Sequence, residues 1–238
     1  MIKVVVFLFL SLVSFQGIAA VDLMLEAGYV WQNRNDTRIP PDTGDTLDFD
    51  TFDKGPFFHY RVETVVKYFD NHWFRFVYAP FEIDVSGASE IDIRFKDSTF
   101  SSAQDIDVSY KFNSYRLGYI YKLSENFQIG FTGKIRDAKI QLSQNGLTET
   151  NTNVGFVPLL YFATQWELSK GFHFVFETDF AAASQGRAVD GAIKFRREFA
   201  DSLQVGLGFR SLEGGADNET VVAFSWFNYA VLDLKFTF

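Results

Sequence analysis

Cysteine is absent from the 238-residue chain, which excludes a disulfide framework and a thiolate metal site. Histidine occurs three times, at His59, His72 and His173, so any imidazole-based hydrolytic site has only those candidates. A basic surplus is also missing. The formal charge is −8, and nucleic-acid binding, which needs a basic footprint, is not expected. Past residue 20 no stretch approaches the length and apolarity of a transmembrane helix, so any membrane span must be built from strands. The glycine pair of LEGGADN, Gly214-Gly215, is a turn and not a phosphate loop, because no helical pattern follows it. Aromatics, in contrast, are abundant. They make up 18% of residues, with 29 Phe, at a mean hydropathy of only −0.02. High aromatic content at neutral hydropathy suits strands that alternate between lipid and a polar interior.

The N-terminal MIKVVVFLFLSLVSFQGIAA has a charged start at Lys3, an apolar run over 4–13 and small residues at Ala19-Ala20. That layout predicts a cleaved signal peptide at 1–20 and export through the Sec pathway, leaving 21–238 as one domain. At the other end, Leu232, Leu234, Phe236 and Phe238 alternate with Val231, Asp233, Lys235 and Thr237, a period of two that predicts a strand between unlike solvents. A terminal strand ending in a free Phe resembles the closing strand of outer-membrane β-barrels. The resemblance implies that Phe236 and Phe238 are read by the barrel-assembly machinery. It also implies periplasmic chaperones on the way and outer-membrane lipid and lipopolysaccharide around the finished barrel.

Four segments repeat one pattern of alternating run, tight polar turn and alternating run. They are KYFDNHWFRF, YKLSENFQIG, WELSKGFHFV and REFADSLQVG, centred on hairpin residues. Longer polar stretches lie between them at 36–57, 86–105, 143–152, 184–187 and 213–219. Four short turns and five longer loops predict an all-β, antiparallel, up-and-down transmembrane β-barrel of about ten strands. The expected strands are 22–35, 58–69, 73–85, 106–123, 127–142, 153–168, 172–183, 188–199, 203–212 and 220–238. Eight strands is the competing count, if the 188–212 hairpin is misread. An even number places both termini in the periplasm.

Alternation then divides the two faces. Tyr60, Val62, Thr64, Val66, Tyr115, Leu117, Ile129, Phe131, Phe174 and Phe176 are assigned to lipid, with Trp31, Tyr68, Trp73, Tyr121, Trp166 and Phe172 forming interfacial girdles. The interior receives Glu26, Arg61, Glu63, Arg75, Arg116, Lys134, Arg136, Glu167, Glu177, Asp179, Asp190, Lys194, Arg196 and Arg210. A charge on the lipid face would cost about 2–4 kcal/mol at mid-depth, so inward placement is strongly favoured. A barrel of eight to ten strands is nearly filled by its own side chains, so mutual salt bridges are expected.

Three functions compete for such a lumen: an internal ion-pair plug, a narrow porin-like conduit for ions or a small solute, and a surface hydrolase. The residues of the first two are the same. For the third, ten-stranded barrels include the omptin proteases, with paired Asp and an Asp-His couple at the outer rim, but only the strand count matches. His59, with Asp48, Asp50 and Asp53 in the preceding loop, is the nearest approach, and a hydrogen-bonded lumen role is the simpler reading. No histidine has a serine two residues on, as a barrel deacylase would need. No catalytic residue, metal or cofactor is assigned, and a monomer is expected. The acidic run 42–53 lacks EF-hand spacing and reads as a solvated loop. EIDIRFKDSTF (90–100) has the makings of a short hairpin above the membrane. KFNSYR (111–116) and KIRDAKI (134–140) resemble segments of uncharacterised outer-membrane barrel proteins of Gram-negative bacteria, which implies location and fold but no activity.

Overall fold

The computed structural model describes residues 20–184 and 186–238. The predicted signal peptide therefore lies outside the described residues except for Ala20. In chain order the elements are β1 (Ala20–Arg38), β2 (Thr46–Asp48), one helical turn α1 (Phe49–Phe52), β3 (Phe57–Phe69), β4 (His72–Ala79), β5 (Glu82–Gly87), β6 (Ile93–Phe95) and β7 (Ser98–Phe100). There follow β8 (Ile106–Lys122), β9 (Phe127–Gln144), β10 (Leu147–Ser169), β11 (Phe172–Ala183), β12 (Gly186–Ala200), β13 (Leu203–Asp217) and β14 (Val222–Thr237).

Each long strand pairs antiparallel with its chain neighbours, and β14 pairs β1 from Asp22↔Thr237 to Arg38↔Val222, closing the sheet. Closure leaves no long edge exposed, the condition for a sheet to span hydrocarbon. The result is a ten-stave antiparallel β-barrel, with β4 and β5 sharing the third stave. Proline has no N–H to donate to a ladder, and this stave breaks at Pro80-Phe81; β5 resumes pairing with β8 where β4 stops. The Asn113 side chain spans the break: its Oδ1 accepts the Phe81 N–H at 2.8 Å and its Nδ2 donates to Glu82 at 2.9 Å. The hairpin over 188–212 is fully paired, so the count is ten and not eight.

The four short turns share one end of the barrel with the Val21–Phe238 backbone pair, N–H to O at 3.1 and 2.9 Å. Two of the five expected long loops are mostly strand. Residues 143–152 continue β9 and β10 around a two-residue Asn145-Gly146 turn with φ of 51° and 82°, the primed-turn geometry that Asn-Gly favours. Residues 213–217 likewise extend β13. The 86–105 loop does contain a hairpin, β6–β7, with Ile93, Phe95 and Phe100 fully buried.

The strands run longer than a bilayer requires, and their alternation reverses partway. On β8, Tyr115 and Leu117 point outward and are exposed while Ser114 and Arg116 are buried inside; toward the loop end, Ile106, Val108 and Tyr110 are buried inside while Asp107 points out. The same change occurs on β14, where Asp233 is internal and polar but Val231, Tyr229 and Phe227 are internal and apolar. The turn-end half is thus apolar outside and charged inside. The loop-end half is polar outside and apolar inside, its core formed with Leu47, Phe49, Phe95 and Phe100 from the capping loops. The first half has the surface that suits a hydrocarbon surround and the second the surface that suits water, and each buries what such surroundings would reject.

Candidate functional site: an ionic network across the lumen

Five cations and five carboxylates form one continuous network across the charged half. Arg210 sits at one pole, with Nε 2.8 Å from Glu26 and its two Nη groups 2.7 Å from Glu177 and 2.6 Å from Asp190. Lys194 links Glu26 and Glu177 at 2.6 and 3.1 Å. Arg61 reaches Asp190 and Glu63, both at 3.2 Å. Arg75 joins Glu63 at 3.0 Å to Asp179 at 2.9 Å, and Arg116 closes the circuit between Asp179 at 2.6 Å and Asp190. The Thr132 hydroxyl donates to Asp179 at 2.8 Å.

These contacts cross the lumen. Arg75 is on the third stave and Asp179 on the seventh, while Arg61 on the second meets Asp190 on the eighth. Arg75 is 1% exposed and its guanidinium lies 4.5 Å from the Tyr161 ring centroid. Beneath it, Trp73 packs on Ile120, Tyr161 and Ala163. The ionic layer therefore lies between an aromatic floor at the turn end and the apolar plug at the loop end.

Of the residues assigned to the lumen, Glu26, Arg61, Glu63, Arg75, Arg116, Glu177, Asp179, Asp190, Lys194 and Arg210 join this network. Arg196 pairs separately with Asp233 at 2.7 Å; Asp233, absent from the sequence-based lumen set, was marked by its place opposite Leu232 and Leu234. One placement needs correction, and two residues on the inner face stay outside the network. Glu167 is exposed and accepts the Gly171 N–H at 3.0 Å, because β10 has already reached its turn. Lys134 is internal and buried but makes no ion pair among the described residues. Arg136 is half-buried and bonds Asn153 at 2.5 Å, since by that level the inward carboxylates have run out. Trp73 is corrected too: it packs inward, beneath Lys67 and Lys122, and is not part of an outer girdle.

The hydrolase candidates do not assemble. His59 is buried, with Nε2 3.7 Å from Glu26 and its ring edge-on to Tyr229 at 4.7 Å. Neither ring nitrogen has a hydrogen-bond partner among the described residues, so the expected bond is not seen there. Asp48 pairs with Asp36 on β1, eight residues beyond Gly28, the partner of His59. His72 and His173 sit at the turn end, on the Tyr119 hydroxyl at 2.6 Å and on Glu198 at 2.9 Å. In the acidic loop, burial first and then the neighbouring Asp36 and Asp50 push the Asp48 carboxyl above its usual range. No group of three potential metal ligands is present among the described residues. A groove of about 490 Å³ between Tyr121, Phe131, Phe162 and Phe180 opens on the outer wall and not into the lumen.

No protein-family model and no curated protein sequence matches the chain. Solved structures do match its fold. The outer membrane protease OmpT of Escherichia coli is 9% identical, with a TM-score of 0.56 over 96% of this chain and 99% of that one. Ail, the attachment invasion locus protein of Yersinia pestis, aligns at 10% identity and a TM-score of 0.42 over 92% and 99%. The Neisserial surface protein NspA aligns at 7% identity and a TM-score of 0.37 over 92% and 99%. The chain is a closed ten-stave barrel whose structural neighbours are outer-membrane proteins of Gram-negative bacteria.

Proposed function

We propose that this chain is a sealed, non-conducting outer-membrane barrel whose membrane half is a rigid anchor and whose loop-end half is a packed body held above the lipid. The observation that carries this reading is the set of ion pairs reaching across the lumen, Arg75–Asp179 and Arg61–Asp190. A conduit needs a continuous opening, and charges engaged with one another across the axis oppose hydrated passage. In planar bilayers the expected result is no single-channel steps; resolved conductance steps from pure protein would establish the porin-like alternative.

The short turns and the paired termini share an end, which supports both termini in the periplasm and loops at the cell surface. Protease on intact cells is expected to cut within 39–56 before any turn. Sec export, recognition of Phe236 and Phe238 by the assembly machinery, periplasmic chaperones, lipopolysaccharide around the outer leaflet and a monomeric state belong to the same proposal. Phe238 is 75% exposed on the outer wall, accessible to such a reader. The fold shared with OmpT makes a surface protease the reading to set against this one. Burial of His59 beside Glu26 supports the non-enzymatic reading, and a hydrolytic activity lost in His59→Ala would overturn it.

A further inference from the structure

The lumen network is balanced, and Lys134 stands outside it. Each of its five cations has carboxylate partners, as does Arg196. Lys134 is only 4% exposed, yet no carboxylate lies within 4.0 Å of it among the described residues. Its ammonium faces the Phe112 ring at 4.8 Å, a contact worth less than burying a charge costs. Its strand partner across β8 is Arg116, so another cation and not an anion lies beside it.

Arg136, two residues on and also facing inward, repeats the pattern. Its Nε is buried without a hydrogen-bond partner among the described residues, although its Nη2 donates to Asn153. Opposite it on β10 is Gly155, where the missing side chain leaves room over the guanidinium. Asn153 and Gly155 are on the inner face but remain solvent-reachable, unlike Leu159 and Tyr161 deeper on the same strand. The β9–β10 wall is therefore solvent-reachable at Asn153 and Gly155, beside Arg136, and Lys134 follows two residues deeper on the same inner face.

We propose that this part of the β9–β10 wall binds one small inorganic anion, of chloride or phosphate size, between Lys134 and Arg136. The anion supplies the negative charge that the protein itself omits at this level, and the ionic layer below stops it from passing through. The blocked passage rests on the sealed-anchor reading, but binding at the two cations does not, so conductance and anion titration fail separately.

The test uses the full refolded barrel in detergent, with ionic strength held constant by a bulky organic sulfonate. Sodium phosphate and sodium chloride are titrated in separate arms, and the thermal midpoint is read from heat-modifiable gel migration. Binding to the folded state alone raises the midpoint as the ligand exceeds its dissociation constant. The expected result is a saturable rise with at least one anion, abolished in Lys134→Met and shifted to at least tenfold higher anion concentration in Arg136→Gln. Saturation by one anion and not the other identifies which source fits. No rise in the wild-type barrel with either anion overturns the proposal, as a neutral Lys134 would give that result. A rise that survives Lys134→Met also overturns it. If Lys134→Met does not fold, the wild-type and Arg136→Gln titrations decide, and equal midpoint curves for the two reject the site.

Discussion

At the scale of single residues, the lumen is held by charges that have lost their water and kept each other. Removing one partner of such a pair leaves the other buried and uncompensated, which costs about 3–5 kcal/mol, whereas replacing both by apolar groups is often close to neutral. For Arg75 and Asp179, 2.9 Å apart, Arg75→Ala and Asp179→Ala are each expected to destabilise the barrel on that scale in urea unfolding from lipid vesicles. The double variant Arg75→Ala/Asp179→Ala should lose less than the sum, with a coupling of about 0.5–3 kcal/mol. Additive losses would mean that the two groups do not interact. The inward position of these residues was legible from alternation. Their pairing was not, because Arg75 and Asp179 are 104 residues apart and only the ring order of staves brings them together. Asparagine 113 is a similar case: its bonds across the Pro80-Phe81 break exist only once β5 lies beside β8.

At the scale of elements, the informative feature is the strand that serves two solvents. Period two survives along β8 from Ile106 to Lys122, but the face that is apolar changes near Phe112–Ser114. A simple search for alternation finds the strand and misses the exchange. On the proposed membrane placement the lipid boundary follows from it: Leu117, 57% exposed, lies on the side assigned to hydrocarbon, and Ser109 on the side assigned to water. Leu117→Arg is therefore expected to cost about 2–4 kcal/mol in the membrane-folded state. Ser109→Arg should fall within about 0.5 kcal/mol of the wild type. Equal effects in vesicle-based unfolding would contradict the boundary. The strand ends at 143–152 show why loops were overread. Polar residues outside a barrel signal loop only if the surroundings are lipid; above the membrane the same residues are ordinary strand facing water. The Asn145-Gly146 hairpin was written there in turn chemistry, beneath polar flanks that hid it.

At the scale of the whole molecule, the four tryptophans report how the barrel sits in its two solvents. Trp31 and Trp226 lie on the outer wall toward the loop end, 39% and 40% exposed, and Trp166 lies toward the turn end, 44% exposed. Trp73 is packed inside against Ile120 and Tyr161. With single-tryptophan variants in vesicles of lipids brominated at known depths, the first three are expected to be quenched best by shallow bromines. Trp73 should be quenched least, and quenching of Trp73 as strong as that of Trp166 would place it on the outer wall after all. The sequence by itself determined what depends on neighbours along the chain: strands from alternation, turns from hairpin residues, inward charge from the cost of charge in hydrocarbon, and from these a ten-stave barrel. The tertiary structure alone decided which charges meet, that Lys134 meets none among the described residues, that the loops fold inward as an apolar plug, and that ion pairs cross the lumen. Local periodicity selects the face of a strand, but the partner across a closed ring depends on closure and register, which no short stretch of chain contains.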